Sequence, residues 1–354
     1  MVRLTRAQQQ ERTRAAVLAA ARDEFGERGY AEAKVDRIAA RAELTRGAVY
    51  SNFPSKRALY LAVLLDSVEP AEVAESPPGL AEALGAFARG WLDRLPLTGD
   101  TAASGNLRLG SLAGVFDDEP GRTAVAQVMA LEALLFGLAL ESCPPRRPGR
   151  RRVRLAELVL TLLDGAGQLA ERAPGFGDPF DVASACQHLG GLDLADTWNP
   201  PHLPHITPAH AVHETWEPPP ALTDRLTGRR IGCDNNGVIV VLGAGRLGAA
   251  EEAVRASEQV TLAVVTADPA EIGRLVRLRV GDLGGRLRRV FGPNAWPGLR
   301  VVLDDDVTTL AAALDIRETD NTEAAVRVEA GTIVARAHGR GAGHAAATTG
   351  RPGA

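Results

Sequence analysis

Thr45, Arg46, Gly47, Tyr50, Ser51 and Asn52 fall within one short stretch that offers hydroxyl, amide and guanidinium groups and no acid. Groups of this kind bond to phosphate oxygens and to base edges. Lys34 and Lys56 flank the stretch and are the only two lysines of the chain, every other basic residue being Arg. A second constellation lies far downstream, where Gly243-x-Gly245-x-x-Gly248 follows a hydrophobic run and precedes a helical one. Such a turn lets a pyrophosphate approach the backbone, and an acid about twenty residues on, here Asp268, would receive a ribose hydroxyl.

The first set needs two helices to position it. Val35–Arg41 places Ile38 and Ala42 on one face, with the small Ala39 where a second helix must cross. Ala42-Glu43-Leu44 is the connecting turn, and Thr45 is a good N-cap for a second helix, Arg46 to Phe53. That helix buries Val49 and Phe53 and exposes its polar face. Two short helices at a steep angle with one polar face match the geometry that enters the major groove of DNA.

Residues 10–65 resemble the N-terminal domain of TetR-type transcriptional regulators. A first helix, Gln10–Arg28, closes at Gly29-Tyr30, and GAVYSNFPSKRALYLAVL resembles the family's recognition helix and the Phe-x-x-Lys entrance to its fourth helix. By that resemblance Tyr50 and Lys56 grip phosphate, while Thr45, Arg46, Gly47 and Ser51 lie nearest base edges or backbone. Lys34 and Asn52 complete the expected DNA-binding set. Glu43 stands where the family usually has a turn glycine, which implies strain if φ is positive there. Ala33-Lys34 replaces the usual Thr pair. The resemblance implies double-stranded DNA as partner, a homodimer on an inverted repeat, an unidentified small-molecule effector, and more often repression than activation.

Charge fits a DNA-docking head. The chain has a net charge of −4, yet residues 1–60 hold twelve Lys/Arg and seven Asp/Glu. A basic head on an acidic body suits docking of one end on phosphate. Cys143, Cys186 and Cys233 have no metal or redox spacing, so a reducing, cytoplasmic setting is expected. Neither a signal peptide nor a membrane span is expected.

Residues 66–195 read as a helical regulatory and dimerisation domain. Thr123–Leu140 and Val153–Leu169 are apolar over more than one face, which predicts burial on both sides, each helix against its own domain and against its twin. Phe87, Trp91, Phe116 and Met129 are either lining for a ligand pocket or plain core. The arginine-rich run Arg146–Arg154 reads as a solvated loop. Residues 196–224 hold seven prolines and the histidines His202, His205, His210 and His213. An extended linker without a metal site is expected there.

Residues 225–340 read as an α/β domain: strand Val238–Leu242, the glycine turn, a helix from Ala249, strand Val260–Thr266, strand Leu299–Leu303, helix Val307–Leu314, then a hairpin turning at Glu329-Ala330-Gly331. The late antiparallel hairpin resembles thioredoxin-like domains, although GAGRLG stands where their cysteine would be. Without a thiolate no thiol chemistry follows. The dinucleotide reading, with Gly243, Gly245, Gly248 and Asp268 as ligands to NAD(P), remains the alternative. No catalytic residue, cofactor or metal is otherwise expected. Residues 341–354 read as a disordered tail. The expected fold is thus multidomain, an all-α TetR-type regulator followed by an α/β domain.

Overall fold

The computed structural model describes residues 5–67, 79–93, 112, 114–145, 151–173, 175–233 and 236–349. Residues 146–150 of the arginine-rich run and residues 350–354 of the tail lie outside these. The head begins with α1 (Arg6–Glu32), opened by a reciprocal cap in which Gln8 N donates to Thr5 Oγ1 at 3.3 Å and Thr5 N donates to Gln8 Oε1 at 2.9 Å. Gly29 takes φ 70° and breaks the regular helix before Tyr30. Next come α2 (Val35–Arg41), α3 (Arg46–Asn52) and α4 (Lys56–Asp66), the last two capped by Thr45 and Ser55. The body is α5 (Leu80–Leu92), α6 (Glu119–Glu141), α7 (Val153–Arg172) and α8 (Pro179–Leu189).

The C-terminal region contains β1 (His210–Thr215), β2 (Leu222–Thr223), β3 (Arg230–Ile231), β4 (Gly237–Gly243), α9 (Ala250–Ala256), β5 (Val260–Val265), α10 (Arg274–Phe291), β6 (Leu299–Val302), α11 (Asp305–Ala313), β7 (Glu323–Glu329), β8 (Thr332–His338) and α12 (Ala342–Thr348). Its main sheet has the order β1-β8-β7-β4-β5-β6. The strands β4, β5 and β6 are parallel, while β7, β8 and β1 pair antiparallel in turn. The two sheet faces bury different partners, because alternate residues of a strand point to opposite sides. Val238, Val240, Leu242 and Leu262 join one continuous core that runs back through α10 and α6 to Val17 and Phe25 in the head. Ile239, Val241, Ala263 and Val265 pack under α11 with Trp216 and Val326.

Three expectations change here. Residues 196–224 are more than a linker: β1 adds to the sheet edge beside β8, with His210 opposite Arg336. His202 Nε2 meets Glu252 Oε1 at 2.9 Å on α9, and prolines outside the strand leave its amides free to pair. The tail is ordered through Thr349, because Ala345, Ala346 and Ala347 bury themselves in the core. Small alanines let α12 approach α9 closely, Gly343 passing directly over Ala253.

The third change concerns the expected dimer bundle. Along α6, Leu131, Leu134, Leu135 and Phe136 are buried by the chain's own α7 and α10. Trp296 Nε1 donates to the Leu135 carbonyl at 2.8 Å, and Arg279 of α10 holds Glu132 through contacts of 2.8 and 2.6 Å. That face of α6 is therefore filled from within. Among the described residues α6 alone is long and apolar enough to cross a membrane, and most of it is covered in this way. Among the described residues, Leu158, Leu169, Phe176 and Phe180 form an exposed apolar surface on α7, α8 and the turn between them.

Candidate nucleic-acid interface

Helix α2 and helix α3 are locked together from below. Ile38, Ala39, Val49 and Phe53 are buried, and Leu44 N donates to the Ala39 carbonyl at 2.9 Å to close the turn. Glu43 sits in that turn at φ 54°, a left-handed conformation that a side chain rarely adopts. The strain anticipated from its place in the sequence is present.

With this scaffold, Thr45, Arg46, Gly47, Tyr50 and Ser51 are exposed and Asn52 half-exposed. Their polar atoms are partly engaged. Thr45 Oγ1 accepts from Ala48 N at 3.2 Å, while Ser51 Oγ and Asn52 Nδ2 each donate to the Ala48 carbonyl at 2.9 Å. Arg46 lies 5.5 Å from the centre of the Tyr50 ring and 3.5 Å from Asp36 Oδ1, with most of its guanidinium in solvent. Pairs so exposed are worth little and yield readily to a stronger anion. Asp36 and Tyr50 also raise the Arg46 pKa, through the Tyr50 hydrogen bond first, so its charge is permanent.

The flanking lysines differ. Lys34 is exposed at the start of α2. Lys56 leans instead on the end of α1, donating to the Ala31 carbonyl at 3.1 Å and lying 4.7 Å from the Tyr30 ring centre. Partial burial lowers its pKa. In this conformation Lys56 joins α4 to α1.

Glu24 is a residue that sequence reasoning missed. Its side chain is fully buried, yet Arg28, Arg37 and Arg41 surround it at 3.4 to 3.7 Å, and Lys34 N donates to it at 3.2 Å. This carboxylate ties α1 to α2. The available signal was an acid on the apolar side of α1, next to Phe25.

The glycine turn is built for close packing of the chain on itself. A Cβ on Gly243 would collide with the backbone of Thr319 and Asp320, and one on Gly245 would lie 2.8 Å from the Asp320 carbonyl. The amides are used as well. Gly243 N donates to the Thr322 carbonyl at 2.7 Å, Gly245 N to the Asp320 carbonyl at 2.8 Å, and Gly248 N to Gln127 Oε1 of α6 at 2.9 Å. Asp268 caps the turn after β5 by accepting from Glu271 N at 3.0 Å. These residues do not fit a pyrophosphate, since the chain already occupies the space and the donors it would need. The cysteines are all buried. Burial pushes the Cys143 and Cys186 thiols up to about 11, away from thiolate chemistry.

Two short helices joined by a tight turn, the second presenting a polar face, define a helix-turn-helix unit. Residues 17–63 match the family described as bacterial regulatory proteins, tetR family, so the head is a TetR-type N-terminal domain. Similar solved structures include a TetR transcriptional regulator from Rhodococcus sp. RHA1, at 20% identity and TM-score 0.32, covering 51% of this chain and 94% of that one. Another is NalD of Pseudomonas aeruginosa, described as the secondary repressor of the MexAB-OprM multidrug efflux pump. It is 22% identical, with TM-score 0.34, and the match covers 53% of this chain and 99% of that one. No curated protein matches.

Proposed function

We propose that this chain is a sequence-specific DNA-binding transcriptional regulator that acts as a homodimer on an inverted repeat. The observation that carries the reading is the exposed polar face of α3, held rigidly by the buried side of the helix-turn-helix unit. Direct reading of base edges needs such a face on a fixed element. Arg46, Gly47 and Ser51 are the base-side residues of this proposal, and Tyr50, Lys34 and Lys56 serve phosphate.

The apolar surface on α7 and α8 supports dimerisation there. Leu158, Leu162, Leu169 and Val182 line a groove of about 510 Å³ whose rim includes Phe176. A two-fold axis through this face would set the spacing between two heads. Repression under control of a small effector, in the cytoplasm, completes this proposal, and the resemblance of the head to TetR-type domains supports it.

The C-terminal domain is read as a thioredoxin-like unit without thiol chemistry, and the chain as a regulator with no enzymatic activity. The strand order β8-β7-β4-β5, with the closing hairpin antiparallel to a parallel core, supports that reading. The test of function is selection of bound sequences from a random DNA pool by the purified protein, followed by band-shift. Two protomers per selected palindrome and a steep fall of affinity with salt are expected. One protomer per site, or no enrichment of any sequence, would refute it.

A further inference from the structure

The head is tied to the rest of the molecule through α4, and the first turn of α4 is gripped from the C-terminal domain. The Glu271 carboxylate accepts from the hydroxyl of Ser55, the N-cap of α4, and from Arg57 Nε. This is an inner contact: the side chains of Arg57 and Glu271 are 22% and 13% exposed. Arg57 is also drawn inward, donating to Asp118 Oδ2 at 2.8 Å and to the Val115 carbonyl at 3.3 Å, over the Phe116 ring. A few residues on from Glu271, Arg274 donates to the Ala58 carbonyl at 2.8 Å, and its guanidinium lies 5.7 Å from the centre of the Phe53 ring. Phe53 ends the recognition helix. Both ends of the joint between α3 and α4 are thus held by one segment of the C-terminal domain.

That segment has support of its own. Glu271 lies in a π-helical turn, Pro269–Gly273, a form that recurs at functional sites. Its cap, Asp268, receives an amide bond from Glu271 and donates its own amide to Thr266 Oγ1 at 3.1 Å. Thr266 Oγ1 bonds Asp320 Oδ1 at 2.5 Å, and the Asp320 carbonyl takes the Gly245 amide. A continuous chain of hydrogen bonds runs from the glycine turn to the N-cap of α4.

We infer that Glu271 and Arg274 are positioning residues for DNA reading: the C-terminal domain fixes the direction of α4, and with it the separation of the two recognition helices in a dimer. The inference rests on the proposed DNA-binding function. It explains why the glycine turn packs so tightly on Asp320. A rival role for Glu271, occupying the place of a phosphate at Ser55 and Arg57, fits less well, because Arg57 is turned toward Asp118 and Val115 and is mostly covered.

The experiment uses the full chain with Glu271→Ala and Glu271→Gln. Binding is measured to the selected palindrome and to versions with one base pair added or removed between the half-sites. Loss of the carboxylate should weaken binding to the natural spacing about tenfold and to the altered spacings much less, so that discrimination between spacings collapses. The salt slope should stay unchanged, because no phosphate contact is lost. Glu271→Gln, which keeps an acceptor for Ser55, should retain most of the discrimination. An equal loss on all spacings would mean mere destabilisation and overturn the inference. So would tighter binding with a salt slope steeper by about one, which marks a freed phosphate donor. A second arm needs no DNA: spin labels at Gln9→Cys and Glu318→Cys should show a distance distribution that broadens in Glu271→Ala. A distribution as narrow as in the parent protein would sink the latch, even if no DNA were ever bound.

Discussion

At the scale of single residues, the head divides its polar groups between reading and holding. Arg46 projects from α3 with only exposed partners, so Arg46→Ala should change the preference among operator sequences by about 1–3 kcal/mol at one base position. Competition binding with single-base variants checks this, and a uniform loss on every sequence would reassign Arg46 to phosphate. Lys56→Ala should weaken all sequences alike, whether the ammonium reaches phosphate or only ties α4 to α1 at Ala31. A group in the body makes a separate prediction. Burial raises the pKa of Asp164 on α7, against the pull of Arg279 and Arg286. A carboxyl raised on folding binds protons more tightly in the native state, so its contribution is most favourable at acid pH. That contribution is lost as pH rises from the ordinary carboxylate range through the raised value. Asp164→Asn should therefore stabilise the protein at neutral pH and have less effect near pH 4, roughly the unperturbed carboxylate pKa. Denaturant midpoints at the two pH values test it, and a larger gain at the acid end would show that the sign is wrong.

At the scale of elements, the helix that matters most for the whole arrangement is α10. It covers α4, α5 and α6 at once, bringing Phe291 to Phe136 and Arg286 over Trp91 at 4.5 Å. The aromatic residues Phe87 and Trp91 are consequently packed core. Because α10 seals α6, Leu135→Asp should unfold the chain by placing a charge in a dry core. Leu158→Asp and Phe180→Asp, on the exposed face of α7 and α8, should leave the fold intact and split the dimer. Sedimentation and far-UV circular dichroism distinguish the two results, and a folded, monomeric Leu135→Asp variant would restore α6 to the interface. How much of this was legible in the sequence follows from periodicity. The helix-turn-helix unit was readable because caps, turn and apolar spacing lie within one short window, and Val35–Arg41 has the limits expected of it. The strands β4 to β8 were readable for the same local reason. Helix α10 is not legible in this way: Leu275, Leu278, Leu283 and Leu287 are buried at helical spacing, but its many arginines make the stretch read as solvent-facing. Two of them, Arg279 and Arg286, turn inward, Arg279 to Glu132 of α6 and Arg286 to the Trp91 ring of α5. Long-range pairing of this kind leaves no trace at short spacing. For the same reason the fate of α6 was hidden: an all-round apolar helix demands two partners but does not say whether the second is a twin or a later part of its own chain.

At the scale of the whole molecule, the polypeptide reads as a regulator with an added domain, but its interior is not divided that way. One hydrophobic cluster links Val17 and Phe25 of the head, Phe136 of the body and Leu242, Leu262 and Ala346 of the C-terminal domain. Polar contacts cross the same boundary: Arg279 with Glu132 and Trp296 with the Leu135 carbonyl are covered by the core, and Gly248 with Gln127 lies at its exposed margin. Interfaces between independent domains are typically more polar and permit relative motion. A shared dry core with satisfied hydrogen bonds instead couples unfolding of the two parts, because opening one exposes the apolar face of the other. The full chain should therefore melt in one cooperative transition. Phe291→Ala should lower that single transition by removing about 3–5 kcal/mol of core packing, without splitting it. NAD(H) or NADP(H) should leave it where it is, since the amides of Gly243, Gly245 and Gly248 are already bonded, whereas a true ligand at a hundredfold excess over Kd would add about 2.7 kcal/mol. Calorimetry with and without nucleotide reads all three outcomes. Two resolved transitions, with Phe291→Ala moving only the one that belongs to the C-terminal domain, would show that the domains fold separately and that contact between α10 and α6 is incidental.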